Sequence, residues 1–211
     1  MAGEKYPVAA VILGAGMSRR MGTAKQLLQL GKRSLLEVTI TNVLHSGFSR
    51  AIGVIGHEAE QIQAEIQISD QRFQWAINKE YKKGQSTSLF TGLQEALNEG
   101  YSSVMIFLGD MPFIKRETME SVLRSGMEIG SQTEKPFMLQ PEYNQIPGHP
   151  VYLGNVHEGL LQFLAGDEGA KGLKESLHIY KRLRVTDPGC VFDIDTPEVY
   201  EKAKGILREK N

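Results

Sequence analysis

The chain has 211 residues, a single cysteine and a formal net charge of −1 at neutral pH. That length is expected to form one domain over residues 1–211 with a sizeable core, and the balanced charge gives no general case for nucleic acid or an anionic membrane as partner. Cys190 alone excludes an intrachain disulfide and a cysteine-built zinc site, and no apolar run approaches the ~18 residues of a membrane span or has the form of a signal peptide; a cytoplasmic setting is expected.

Strand and helix patterns alternate along the chain. Residues 8–13 form a short apolar run of strand length. Ser34, with Glu37 three residues on, makes a capping box for a helix reaching Gly47. Residues 51–55 read as a strand, 58–68 as a helix and 73–77 as a strand. The segment 86–98 carries Leu89, Leu93 and Leu97 at helical spacing, and Gly100 ends it. Residues 104–108 are continuously apolar, as in a parallel strand buried on both faces. A helix is expected over 118–125, then a hairpin of 135–140 with 148–153. Short helices follow at 154–165 and 168–176, strands at 179–185 and 191–194, and a last helix capped by Thr196 with Pro197 in its first turn. Repeated β-α units predict an α/β fold: a three-layer, doubly wound, mainly parallel sheet. Ligands of such sheets bind beyond the carboxyl ends of the strands, so the loops after the first, third and fourth core strands should converge.

The loop after the first strand, Leu13-Gly14-Ala15-Gly16-Met17-Ser18-Arg19-Arg20-Met21-Gly22-Thr23-Ala24-Lys25, combines small residues with three cations and no acid. Small residues let backbone N–H groups approach an anion, and the cations oppose its charge, which reads as a polyphosphate site. It is neither of the two common glycine loops. Arg19 stands where a dinucleotide fingerprint needs its third glycine, and Thr-Ala-Lys after Gly22 breaks the P-loop pattern. The plain alternative is a structural turn with a basic rim.

Two acidic elements complete the picture. Asp110 directly follows the most apolar strand, in Gly109-Asp110-Met111-Pro112, where a carboxylate emerges at the ligand edge of the sheet. Mg²⁺ is commonly held by one or two carboxylates with substrate phosphates. If residues 191–194 are a strand, Asp193 and Asp195 share one face; Asp195 could equally support the N-terminus of the last helix. Between strand and helix, the segment 78–88 offers Asn78, Gly84 and Ser88. His149, between Gly148 and Pro150, and Lys171, after Gly166-Asp167-Glu168-Gly169-Ala170, are each open between a structural role and contact with an anionic acceptor.

The pattern L-x-A-G-x-S-x-R-M-G-x-x-K, matched by Leu13, Ala15, Gly16, Ser18, Arg20, Met21, Gly22 and Lys25, resembles the signature loop of the MobA-like nucleotidyltransferases. Within that group the chain looks most like the molybdenum cofactor cytidylyltransferases, including the purine-catabolism accessory type. The resemblance implies a Rossmann-like nucleotidyltransferase fold and Mg²⁺ as cofactor. It implies transfer of CMP from CTP to the terminal phosphate of the molybdopterin cofactor with release of pyrophosphate, and a recipient molybdenum hydroxylase such as xanthine dehydrogenase. Leu13, Gly14, Ala15, Gly16 and Arg19 would hold the nucleotide, and Asn78, Gly84 and Ser88 its base and ribose. Lys25 and Arg20 would neutralise phosphate, with Arg19 and Arg20 competing for the β,γ end. Asp110, with Asp193 or Asp195, would bind the metal, and His149 and Lys171 would lie toward the acceptor. Ala15 matches the cytidylyl form, whereas the guanylyl branch favours glycine there. Gly14 replaces the usual alanine, and the missing methyl is expected to add room for a different base. Transfer of another nucleotide (from GTP or ATP), a sugar- or alcohol-phosphate acceptor, and a non-catalytic cofactor carrier remain the alternatives.

Overall fold

β1 (Tyr6–Leu13) is buried on both sides and sets the plan of the molecule. Successive side chains of a strand face opposite ways. Ala10 and Ile12 enter one apolar cluster with Ile40, Val43, Met119 and Val122, while Ala9 and Val11 enter another with Leu89, Leu93 and Ala96. A strand with two apolar faces needs helices on both, and the chain supplies them. α1 (Leu35–His45) and α4 (Arg116–Gly130) cover one face, and α3 (Gln85–Asn98) covers the other. This is the doubly wound, three-layer α/β architecture expected from the alternation. The computed structural model describes residues 6–18, 22–164 and 169–208.

The remaining strands are β2 (Gln29–Leu30), β3 (Arg33–Ser34), β4 (Phe48–Ile55), β5 (Phe73–Ile77), β6 (Val104–Leu108), β7 (Phe137–Tyr143), β8 (Ile146–Pro147), β9 (Val151–Gly154) and β10 (Ile179–Arg184). β2 and β3 form a small hairpin. The main sheet has 8 strands in the order β10-β7-β9-β6-β1-β4-β5, with β8 beside β7. β5, β4, β1 and β6 are mutually parallel, and β10 is parallel to β7; β9 runs against both β6 and β7. α2 (Ala59–Glu65), α5 (Glu158–Leu161) and α6 (Pro197–Arg208) complete the α-helices. Among the described residues no helix is long and apolar enough to cross a membrane.

Locally signalled elements follow the sequence closely. Ser34 and Glu37 form the reciprocal capping box of α1, and β5 and β6 have the expected bounds. Other elements depart from expectation. α4 runs from Arg116 to Gly130, beyond the expected 118–125. Gly126 is there because Tyr152 packs against it: a β-carbon would lie 2.4 Å from the Tyr152 ring. β7 pairs both with β8, as a tight hairpin, and with β9, so the expected two-stranded hairpin is a three-stranded corner. α3 starts at Gln85 behind Gly84 (φ 120°), one residue before the expected 86, so Ser86 lies inside its first turn. The expected strand over 191–194 does not form. Pro188–Val191 is a 3-10 turn capped by Asp187, and the next residues run extended with no ladder partner among the described strands.

Candidate functional site

The sheet creates a crevice at one place. From β1 the chain passes to β4 on one side and later returns to β6 on the other, so connections diverge above the paired ends Leu13 and Leu108. Two loop exits are pinned there. Gly14 N–H donates to the Val54 carbonyl at 2.8 Å, and Gly109 N–H to the Leu13 carbonyl at 2.9 Å. α1 then braces the Asp110 loop: Thr39 Oγ1 donates to the Gly109 carbonyl at 3.1 Å and Asn42 Nδ2 to the Pro112 carbonyl at 2.9 Å. The acidic segment is drawn in by one backbone bond, Ile194 N–H to the Asp110 carbonyl at 3.0 Å. Ile194 and Leu35 anchor it in a small apolar cluster with α6. Asp193 and Asp195 therefore reach the same cleft on either side of a buried Ile194, although no strand carries them.

The cleft has a volume of about 420 Å³. Leu13, Gly14, Ala15, Gly16 and Met17 line one wall; Tyr81, Lys82, Gly84, Gln85 and Ser88 line another; Lys25, Gln26, Asp110, Asp193 and Asp195 close the charged end. Lys25 sits at the start of the 3-10 turn Lys25–Leu27. Its ammonium donates to Asp110 Oδ2 and, at 2.6 Å, to Asp195 Oδ1. Burial works against that charge, but Asp110 and then Asp195 more than offset it, and the lysine pKa is held above its ordinary value. Asp193, exposed at the rim, has its carboxyl raised by desolvation, with Asp195 and Asp110 adding repulsion. The other Asp110 oxygen, Oδ1, is buried and has no hydrogen-bond partner among the described residues. A buried carboxylate oxygen left this way is costly. It suits a hard cation, whose oxygen ligands are carboxylates and phosphates. Asp110, Asp193 and Asp195 are not pre-gathered as a ligand trio: among the described residues no group of three acidic, histidine or cysteine side chains is placed to hold a metal.

Asn78 does not line this cleft. Its Nδ2 donates to Thr87 Oγ1 and Ser88 Oγ, each at 2.9 Å, and its Oδ1 accepts from Glu80 N–H at 2.9 Å. All of its amide groups are engaged, so it holds Ser88 in the wall instead of facing a ligand. Gly14 also departs from expectation. A β-carbon there would point at Leu36, 3.2 Å from its methyl, and not into the open cleft. The missing methyl makes room for the core, not for a base. Arg19 and Arg20 lie outside the described residues, as does the side chain of Lys171, which belongs to the 3-10 helix Gly169–Ser176.

A second cavity of about 100 Å³ adjoins the cleft at Leu13, Gln85 and Leu108. Its walls are mostly apolar (Leu89, Ile106, Met138 and Val151), with Gln140, His149 and Lys174 as polar points. His149 Nδ1 lies 3.5 Å from the Ile106 carbonyl, and burial pushes its pKa down to about 4, against weaker support from that carbonyl and from Asp193. The imidazole is therefore neutral near pH 7 and offers hydrogen bonding, not the positive charge expected of a phosphate contact.

Sequence reasoning missed Gln26, Tyr81, Lys82 and Lys174. Lys82 had a readable signal, a basic pair in the loop after β5. Gln26 had only its place beside Lys25.

A family model for the MobA-like NTP transferase domain matches residues 10–183. The chain belongs to the MobA-like NTP transferase family. It is thus a nucleotidyltransferase by family, and Leu13, Ala15, Gly16 and Lys25 of its glycine loop line the crevice above β1 and β6. A probable molybdenum cofactor guanylyltransferase of Natranaerobius thermophilus is 31% identical over 95% of this chain and 96% of its own. Purine catabolism protein PucB of Bacillus subtilis is 27% identical over 93% of this chain and 96% of its own. Among solved structures, a homologue of Mycobacterium tuberculosis Rv0371c from Mycobacterium sp. strain JC1 aligns with a TM-score of 0.79 at 26% identity, covering 99% and 100% of the two chains.

Proposed function

We propose that this family member transfers a nucleotidyl group from CTP to the terminal phosphate of the molybdopterin cofactor. The observation that carries the reading is the Lys25 ammonium held between Asp110 and Asp195 at the mouth of a glycine loop. In the reaction an oxygen of the acceptor phosphate attacks the α-phosphorus of the triphosphate. The new P–O bond forms as the α–β bridging P–O bond breaks, and pyrophosphate leaves with the bonding pair. The attacking phosphate is already anionic, so no general base is needed, and catalysis consists of alignment and charge neutralisation. The loop beyond Gly14 would hold the phosphate chain by backbone N–H groups, Ala15 first. Lys25 would shift from its carboxylate partners toward the α-phosphate. Gly84 and Ser88 would border the base and ribose. Asp110, with Asp193 or Asp195, would hold Mg²⁺, which supplies charge neutralisation on the phosphates.

The second cavity is where the acceptor would place its uncharged heterocycle, against the apolar walls and the neutral His149. The likeness to a probable molybdenum cofactor guanylyltransferase supports this acceptor. The recipient implied by the sequence resemblance, a molybdenum hydroxylase such as xanthine dehydrogenase, is part of the proposal; the name of the Bacillus relative adds only purine catabolism. For the base, Ala15 in the loop favours CTP, while the name of the Natranaerobius relative makes GTP the competitor. Incubation of the protein and Mg²⁺ with molybdopterin and each of the four triphosphates, read by pyrophosphate release and product mass, tests both points. The expected product is the cytidylyl adduct. An equal or larger guanylyl product overturns the base; no pyrophosphate with any triphosphate overturns the transfer and leaves the carrier reading.

A further inference from the structure

Gln26 is only 4% exposed, at the root of the glycine loop. A buried primary amide has two N–H donors and a carbonyl oxygen to satisfy. Here Nε2 donates to the Gly14 carbonyl at 2.7 Å and to the Gly16 carbonyl at 2.8 Å. Oε1 accepts from Ser18 Oγ at 3.2 Å. Ser18, in the left-handed region at φ 51°, accepts in turn from Lys25 N–H at 3.1 Å. One side chain thus ties the loop at residues 14, 16 and 18, and the serine closes it back onto Lys25.

The geometry fixes more than the loop's path. In a planar trans peptide the C=O and N–H of one unit point to opposite sides. Holding the Gly14 carbonyl on Gln26 therefore turns the N–H of Ala15 the other way, and holding the Gly16 carbonyl fixes the path of the next unit. A backbone N–H turned outward from such a loop is a donor for an anion. A β-carbon on Gly16 would meet nothing within 4 Å, so packing does not demand glycine there and the loop surface stays open. Were the two carbonyls released, either could rotate outward and present oxygen to a polyphosphate.

We propose that Gln26 is the positioning residue of this site: it presets the Ala15 N–H for the phosphates of the nucleoside triphosphate and sets Lys25 beside them. Donors fixed before the ligand arrives need no reorganisation on binding. The proposal rests on the nucleotide-binding reading above and adds to it a residue that touches the loop's carbonyls, not its ligand.

The test uses the full chain with Gln26→Leu, which removes all three bonds; Gln26→Glu, which keeps the size but cannot donate; and Ser18→Ala, which removes only the outer tie. Affinity is titrated with the α,β-methylene analogues of CTP and GTP, each with Mg²⁺, and compared with steady-state KM values for the triphosphate and for molybdopterin. Gln26→Leu should weaken the preferred analogue at least about ten-fold, Gln26→Glu more, and Ser18→Ala about three-fold. The KM for molybdopterin should stay at the wild-type value, a split that a general loss of fold would not give. Wild-type affinity in either folded Gln26 variant, or equal rises in both KM values, overturns the proposal. If both Gln26 variants fail to fold, Ser18→Ala decides, and unchanged affinity there overturns it. Failure of the wild-type protein to bind either analogue overturns the nucleotide-binding reading and this proposal with it, whereas normal wild-type binding with an indifferent Gln26 overturns this proposal alone.

Discussion

The cleft and the side cavity share Leu13, Gln85 and Leu108, yet they treat a buried titratable group in opposite ways. In the cleft Lys25 keeps its charge, with a raised pKa, because two carboxylates face it. In the side cavity His149 loses its charge, with a pKa pushed down to about 4, because its neighbours are mainly apolar and Asp193 is too weak a counterweight. Burial is common to both; the counter-ion decides the sign. Along one sheet edge the cleft thus gathers paired charges, whereas the side cavity is mostly apolar around a neutral imidazole, with Lys174 at its wall.

The strongest challenge to this contrast is Asp110→Asn. An amide of the same shape cannot replace the carboxylate on Mg²⁺. Pyrophosphate release should fall by about 10³-fold while the melting temperature changes little; turnover near wild type, or wild-type turnover after exhaustive chelation, would remove the metal role from this end. Next comes Lys25→Met, expected to cut turnover about 10²-fold and to cost more than Arg19→Ala. It should also lower thermal stability, because Asp110 and Asp195 would face each other without their cation. A variant as stable as wild type would mean that the ion pair contributes nothing net.

The side cavity is tested through pH. Folded His149 takes up its proton near pH 4, whereas in the unfolded chain it does so near 6.5. Between these values the unfolded state binds more protons, so stability rises with pH across this window and is lost as pH falls from about 6.5 toward 4. The loss approaches about 3 kcal/mol at its acid end. His149→Gln should flatten this part of the stability curve measured by urea titration; an unchanged slope would show that the imidazole is not held neutral. The smallest effect is expected for Ala15→Gly. Losing one methyl from the cleft wall should reduce preference for CTP over GTP about five-fold in direct competition, without reversing it. A preference that stays constant would remove Ala15 from base selection.

What the sequence by itself determined is local. The capping box of Ser34 and Glu37 lies within one helical turn, and the apolar run of β6 declares burial on its own, so these elements could be read residue by residue. The glycine loop and Asp110 were legible because strand order sends both to one edge of any doubly wound sheet. Tertiary structure decided the rest. Lys25 meets Asp110 and Asp195 across 85 and 170 residues of chain, a meeting that no periodicity encodes. The segment 191–194 alternates like a strand but finds no ladder partner, because its single tie to Asp110 and the anchoring of Ile194 against α6 place it outside the sheet. Asn78 has the chemistry of a base reader, yet its hydrogen bonds are used to hold Ser88. A side chain's type fixes which bonds it can make; which of them it makes depends on neighbours that only the folded chain brings within 3 Å or so.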